Sequence, residues 1–90
     1  MTNSERILKS VAKLVKNEGK AIFTRAEVYA NINPEIFSRG SYDPIFQGMR
    51  VDQPGGAPKP REEYRNVFEQ VEHGKYRLTA YGQRLIDKLD

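Results

Sequence analysis

The sequence has no cysteine and a single histidine. The absence of cysteine excludes disulfides, thiolate nucleophiles and thiolate zinc sites, and one histidine does not make a metal-binding cluster. No apolar run approaches the roughly 20 residues that a membrane-spanning helix needs, and the polar start of the chain lacks the apolar run of a secretory signal. We therefore expect a cytoplasmic protein that has no metal site and no membrane anchor.

Catalytic patterns are scarce as well. An enzyme needs a nucleophile with its base, paired carboxylates in a cleft, or a metal. His73 falls in a predicted hairpin turn, and Glu62 and Glu63 border a proline-rich loop. The glycines at 55 and 56 lack the spacing and the following helix of a phosphate-binding loop. The sequence therefore predicts no enzyme, no catalytic residues and no cofactor.

The residues that are present suit one small domain spanning 1–90. Of the 90 residues, 38% are hydrophobic and 30% are charged, which is enough apolar material for one modest core. Fifteen basic residues stand against 12 acidic ones, a net charge of +3. This mild excess permits a nucleic-acid partner without requiring one, because the cations must converge on one face to bind a phosphate backbone.

Apolar periodicity predicts a first helix over Ser4 to Glu18. Thr2 and Glu5 have the spacing of a capping box at its start, and Gly19 is suited to a left-handed stop. One apolar stripe runs along this helix: Ile7, Leu8, Val11, Leu14 and Val15.

A short apolar strand ending at Phe23 leads into a second helix. Thr24 and Glu27 have capping-box spacing, and Phe23 is placed to pack on Val28 as a hydrophobic staple. The helix is expected to end near Asn31, since the Asn-Pro pair that follows disfavours helical backbone and offers a cap for one more turn.

The chain is then predicted to break at Arg39-Gly40. Ser41 or Asp43 caps a third helix that runs to Met49, with Pro44 tolerated in its first turn. Its expected core-facing residues are Ile45, Phe46 and Met49, and those left outside are Tyr42, Gln47 and Arg50.

The composition changes abruptly at 52–61, where three prolines and two glycines exclude regular structure and predict a mobile loop.

Strands over Val67–Glu72 and Lys75–Leu78 then flank His73-Gly74, the signature of a hairpin with a primed turn. The expected register pairs residue 72 with 75, 71 with 76 and 70 with 77. It places Val67, Val71, Tyr76 and Leu78 on one face, and Lys75 and Arg77 on the other.

Thr79 caps a final helix whose apolar stripe is Tyr81, Leu85, Ile86 and Leu89.

The segment from Glu72 to Gly82 resembles the wing hairpin and exit of winged helix-turn-helix domains, in which a strand ending Tyr-x-Leu-Thr leads to a helix beginning x-x-Gly. Its Gly-Lys-Tyr-Arg-Leu hairpin is similar to that of small winged-helix modules found alone or beside nucleases in bacteria and archaea. The resemblance implies an α+β fold with a three-helix core, a β-hairpin wing and a C-terminal helix. It also implies that Thr24–Ile32 is the first helix of the helix-turn-helix, and that Ser41–Met49 is the recognition helix that enters the major groove.

The resemblance implies that the protein binds double-stranded DNA as a transcriptional regulator or a DNA-targeting module. Gln47 and Arg50 are the candidates for reading bases, with Tyr42 as a weaker one. The candidates for phosphate contacts are Arg25, Lys59, Arg61, Lys75 and Arg77. Pairing of Glu72 with Lys75 across the turn is expected to neutralise part of the wing's charge.

Other functions remain open at this point. A protein-interaction or assembly module without DNA binding is favoured by Phe37 and Tyr64 if they form an apolar surface. Single-stranded nucleic acid binding requires Tyr42, Tyr64 and Phe68 on one exposed face. The last helix either supports a homodimer or is buried within the monomer.

Overall fold

A computed structural model describes residues 2–51 and 60–89. The fold in these ranges is α+β, with four α-helices and a two-stranded antiparallel hairpin. The order of elements is α1 (Asn3–Ala12), a π-helical turn (Lys13–Asn17), α2 (Arg25–Tyr29), α3 (Arg39–Gly48), a 3-10 turn (Glu62–Tyr64), β1 (Phe68–Glu72), β2 (Lys75–Leu78) and α4 (Ala80–Asp87). This layout is compatible with that of a winged helix.

The predicted helix starts at α1 and α2 are confirmed. Thr2 and Glu5 form a reciprocal capping box at α1, and Thr24 and Glu27 form another at α2. Each box satisfies backbone N–H groups that have no partner within the helix. Gly19 ends the first helical segment with a positive φ of 68°, a conformation that glycine adopts without steric cost.

The expected break at Arg39-Gly40 is wrong, because α3 begins at Arg39. Its cap is neither Ser41 nor Asp43 but Ser38, whose hydroxyl accepts a hydrogen bond from the backbone N–H of Ser41 at 3.3 Å. Pro44 therefore lies inside the helix rather than in its first turn, and its missing N–H leaves the Gly40 carbonyl without the usual helical donor. Since Gly40 is exposed, water is able to satisfy that carbonyl.

The hairpin forms as predicted, but its register differs beyond the turn. Lys75 pairs with Glu72 as expected, whereas Tyr76 pairs with Gln70 because Val71 is the extra residue of a β-bulge. The turn is not of the primed kind, since only Gly74, at a φ of 77°, has a positive φ. The bulge also shifts the buried face, so that Phe68 is fully buried and Val71 is 43% exposed.

The hairpin is tied to both flanking segments by backbone pairing. Phe23 exchanges two 2.9 Å hydrogen bonds with Tyr76, which makes the predicted short strand a single-residue bridge. On the other edge, the N–H of Val51 donates to the Phe68 carbonyl at 2.8 Å. The end of α3 and the start of α2 are therefore both attached to the hairpin.

Aromatic rings fill the space between α3 and the hairpin. Phe46 stacks on Phe68 with ring centroids 4.8 Å apart and meets Tyr76 edge-on at 5.1 Å. These rings join a core to which every helix contributes: Ile7, Leu8, Val11, Leu14, Phe23, Val28, Ile32, Phe37, Tyr42, Phe46, Met49, Val67, Phe68, Tyr76 and Ile86. This core fixes the orientation of α3 relative to the hairpin.

The final helix begins after Thr79, as predicted, and rests closely on the base of the hairpin. A Cβ on Gly82 would lie 2.2 Å from the Val67 carbonyl oxygen and 2.9 Å from a Leu78 methyl, so only glycine permits this approach. Ile86 is fully buried, and the rest of the apolar stripe packs against the same core.

Two further expectations concern the chain as a whole. Within residues 2–51 and 60–89, no helix is long and apolar enough to cross a membrane. The predicted loop at 52–61 falls mostly on residues 52–59, which lie outside the described residues, as does the candidate phosphate contact Lys59.

Candidate nucleic-acid interface

One side of α3 carries a row of polar side chains, which we call the α3 edge: Arg39, Asp43, Gln47 and Arg50. Their spacing of four, four and three residues puts them on one side of the helix. Arg39 Nε donates to Asp43 Oδ1 at 3.0 Å, and the Arg50 guanidinium donates to the Gln47 side-chain oxygen. The row therefore runs from the first turn of α3 to the residue after its C-cap.

Two guanidinium groups meet at the N-terminal end of this edge. Arg25, the first residue of α2, lies 3.6 Å from the same Asp43 oxygen that accepts from Arg39. The Arg39 guanidinium also lies over the rings of Tyr29 and Tyr42, 5.3 Å and 5.8 Å from their centroids. Two positive charges share one negative charge here, so this end of α3 carries a net positive charge.

The C-terminal end of the edge differs from the sequence prediction. Arg50 was expected outside, but only 8% of it is exposed. Its guanidinium lies 5.3 Å from the centroid of the Tyr76 ring and donates to Gln70 Oε1 on β1 at 2.7 Å as well as to Gln47. Because the backbone of Arg50 pairs with Phe68 in an isolated parallel bridge, Arg50 joins the end of α3 to β1 instead of projecting into solvent.

Tyr42 was also expected outside and is fully buried. Its ring packs against Tyr29, Phe37 and Phe46, and its hydroxyl donates to the Arg25 carbonyl at 2.7 Å. Burial raises the pKa of the Tyr42 hydroxyl well above its usual range. Tyr42 therefore fixes the start of α2 against α3 and offers no surface to a ligand.

The hairpin presents Lys75 and Arg77 to solvent, as predicted. Both are paired with acidic residues: Lys75 lies 2.8 Å from Glu72, and the Arg77 guanidinium donates to Glu69. The hydrogen bond with Glu72 raises the pKa of Lys75, and the same contact lowers the pKa of Glu72. The expected pairing across the turn is confirmed, and it leaves this part of the hairpin close to neutral.

Arg61 is separated from this surface. It is exposed, lies 3.9 Å from Glu63, and borders a shallow depression beside Tyr81 of α4. Tyr81 donates its hydroxyl hydrogen to the Glu63 carbonyl at 2.6 Å, which fixes the 3-10 turn against α4. The structure therefore places Arg25 at the N-terminal end of α3, Gln47 and Arg50 together at its C-terminal end, and Arg61 elsewhere.

The aromatic residues that favoured the other functions are mostly buried. Phe37 is 1% exposed and Phe68 is fully buried, so the apolar surface expected from Phe37 and the stacking face expected from Phe68 are both absent. Tyr64 is half-buried against the core.

Sequence reasoning missed Arg39, which pairs with Asp43 at the N-terminal end of the α3 edge. The sequence predicts a chain break at Arg39-Gly40 instead of a helix start. The available signals were the Ser38-x-x-Ser41 spacing, which suits an N-cap, and the four-residue spacing of Arg39 and Asp43, which suits an ion pair on one helix face.

In the part of the chain that the structure describes, no group of three or more His, Asp or Glu side chains is placed to hold a metal ion. No protein-family model, curated protein or solved structure matches this chain.

Proposed function

We propose that this protein binds double-stranded DNA as a winged helix-turn-helix, with α3 in the major groove and the β1–β2 hairpin as the wing. The element order supports this reading, since a short helix, a turn and a second helix are followed directly by an antiparallel hairpin. The pairing of Phe23 with Tyr76 adds the short first strand that this class of domain has before its second helix.

The observation that carries the proposal is the convergence of Arg25 and Arg39 on Asp43. The N-terminal end of a helix attracts anions through its dipole and its unpaired N–H groups, and two guanidinium groups add to that attraction. Their side chains are 38% and 49% exposed, which leaves both within reach of a phosphate. This end of α3 is therefore the expected phosphate contact.

The exposed surface of α3 limits what kind of recognition is expected. Gly40, Ser41 and Pro44 are exposed and uncharged, so the helix is able to approach DNA closely without offering many base contacts. The hydrogen bond that the Gln47 side-chain oxygen accepts from Arg50 fixes the orientation of this amide, which restricts how it is able to pair with adenine. Binding is therefore expected to depend on phosphates and groove shape more than on base sequence.

The test is a titration of a random-sequence DNA duplex at several salt concentrations, read by fluorescence anisotropy. We expect affinity to fall steeply between about 50 and 200 mM salt, because phosphate contacts release counterions. Replacing both arginines (Arg25→Gln with Arg39→Gln) is expected to reduce the slope of log affinity against log salt by about two, roughly one for each lost contact.

The control is Arg84→Gln, which removes one positive charge from an exposed position on α4 and is compared with each single substitution, Arg25→Gln and Arg39→Gln, as well as with the pair. Arg39→Lys separates charge from packing, since it keeps the cation but loses the planar group above the two tyrosine rings. The proposal fails if no duplex binding is seen at low salt, or if Arg84→Gln changes the slope as much as the double substitution.

A further inference from the structure

A groove separate from the α3 edge lies between α1 and the chain after α2. Its volume is about 310 Å³. One wall is the side of the first helix that carries Arg6, Lys9 and Lys13, and the other includes Ile32 and Ile36. We call these five residues the α1 groove.

The cations of the α1 groove form a row along one helix face. Their spacing of three and four residues aligns them, and the rise of an α-helix separates the first from the last by about 10 Å. Arg6 donates to Asn3 Oδ1 at 2.6 Å. Among residues 2–51 and 60–89, no carboxylate lies within ion-pair distance of Arg6, Lys9 or Lys13. The row is therefore an uncompensated positive strip.

The opposite wall is apolar and exposed. Ile36 is 61% exposed, more than any other large hydrophobic residue in the described ranges, and Ile32 lies beside it at the edge of the core. Asn31 and Asn33 flank this wall and add amide groups able to bond a peptide backbone. A ligand in the groove therefore meets positive charge on one side and an apolar surface on the other.

We propose that the α1 groove binds an acidic peptide segment of a partner protein, with carboxylates along the strip and an apolar side chain against Ile36. Charge complementarity favours an anionic occupant, and the length of the strip favours an extended one over a single small anion. The exposed isoleucine distinguishes a peptide from a nucleic-acid backbone, because phosphates and sugars gain little from an apolar wall. The inference rests on the α1 groove alone and is independent of DNA binding at α3.

The probe is a short blocked peptide of alternating glutamate and leucine, titrated into isotopically labelled protein and followed by NMR. We expect amide shifts at Arg6 to Lys13 and at Asn31 to Ile36, with the hairpin unchanged. The double substitution Lys9→Gln with Lys13→Gln is expected to weaken binding about tenfold, and Ile36→Ser by a similar factor. All three side chains are exposed, so the variants are expected to remain folded.

Two control peptides separate charge from apolar contact: one has glutamine in place of glutamate, and the other has serine in place of leucine. The control protein is Arg84→Gln, which is expected to bind the acidic peptide as the unmodified protein does. The proposal is overturned if the acidic peptide does not bind at low salt, or if the glutamine peptide binds as well. It is also overturned if the lysine substitutions weaken binding of a DNA duplex instead, which would make the strip a phosphate contact.

Discussion

The α3 edge and the α1 groove both present cations beside a helix, and they differ in what lies next to those cations. At the α3 edge, Arg25 and Arg39 share the carboxylate of Asp43. On the adjoining hairpin, Lys75 and Arg77 each have a glutamate partner. In the α1 groove, the cations have no acidic partner among the described residues.

This difference shows why net charge alone does not locate a binding surface. Exposed ion pairs contribute little to the free energy of folding, typically 0 to about 1 kcal/mol. Their main consequence is that they neutralise part of the positive charge that an approaching ligand meets. An anion that approaches the α3 edge must compete with carboxylates already in place, whereas one that approaches the α1 groove does not. We therefore expect DNA binding to be weak and strongly dependent on salt.

The largest expected effect comes from displacing the hairpin that adjoins the α3 edge. Gly82→Ala puts a Cβ 2.2 Å from the Val67 carbonyl oxygen, and because that oxygen is backbone and not the end of a flexible side chain, α4 or the base of the hairpin must shift. We expect the free energy of unfolding to fall by about 3 kcal/mol, as measured by urea denaturation. Gly40→Ala is the matched control in α3, where nothing lies within 4 Å, and it is expected to stabilise the protein by about 0.5 kcal/mol. Equal effects of the two substitutions would contradict this account.

The next effect concerns the contact that fixes the start of α2 against α3. Tyr42→Phe removes the hydrogen bond to the Arg25 carbonyl, and we expect a loss of about 1 kcal/mol in the free energy of unfolding at neutral pH. Because burial raises the folded pKa of Tyr42 above its unfolded value, the unfolded state releases this proton first as pH rises. Its contribution is therefore complete below about pH 10 and lost above it.

Urea denaturation between neutral and alkaline pH measures both effects of this substitution. The stability of Tyr42→Phe should decline less steeply above about pH 10 than that of the unmodified protein. Tyr64→Phe is a control at a half-buried tyrosine. An alkaline decline of the same steepness in Tyr42→Phe would show that the buried hydroxyl does not cause it.

A smaller change converts the α3 edge into an uncompensated site. Asp43→Asn leaves Arg25 and Arg39 without their shared carboxylate, and we expect duplex DNA affinity at low salt to rise about fivefold. The slope against salt should also become steeper, since more cations are available to displace counterions. Binding of the acidic peptide in the α1 groove should not change. A fall in DNA affinity would mean that Asp43 orients the arginines for binding.

Local signals predicted much of this fold. Capping boxes at Thr2 and Thr24, the cap at Thr79 and the Gly74 turn each depend on residues close in sequence, and all four occur where expected. The missed cap at Ser38 is also a local signal, whereas the error in the hairpin register has a non-local cause. The bulge at Val71 accompanies the packing of Phe68 on Phe46 of α3, and no local pattern encodes that contact.

The candidate site was harder to predict than the fold for the same reason. Polarity and helical spacing placed Arg50 outside, but Tyr76 and Gln70, from a distant hairpin, draw its guanidinium inward. Tyr42 is different, because it lies four residues before Phe46 and seven before Met49, so helical spacing already puts it on the core-facing side of α3. The α1 groove depends on how the chain after α2 lies against α1, and the sequence gives no signal for that arrangement.

The smallest expected effect concerns the hairpin. It tests whether neutralising a hairpin cation with an acidic partner lowers DNA affinity, as we expect Asp43 to do at α3. Glu72→Gln removes the partner of Lys75 at the hairpin turn, and we expect duplex DNA affinity to rise about twofold at low salt. The effect is smaller than that of Asp43→Asn because one cation is released instead of two, and because the hairpin tip is fully exposed to solvent and salt.

The control for this last prediction is Glu18→Gln, which removes an equal charge from an exposed position at the end of the first helical segment. A rise in DNA affinity confined to Glu72→Gln would support contact between the hairpin and DNA. Equal rises in both variants would reflect net charge alone, and would leave Arg25 and Arg39 as the expected phosphate contact. The ordinary pKa of lysine lies far above neutral, and Glu72 raises the pKa of Lys75 further, so Lys75 is protonated at neutral pH with or without this partner. A difference in DNA affinity between the unmodified protein and Glu72→Gln therefore reports the loss of the neighbouring negative charge and not a change in the protonation of Lys75.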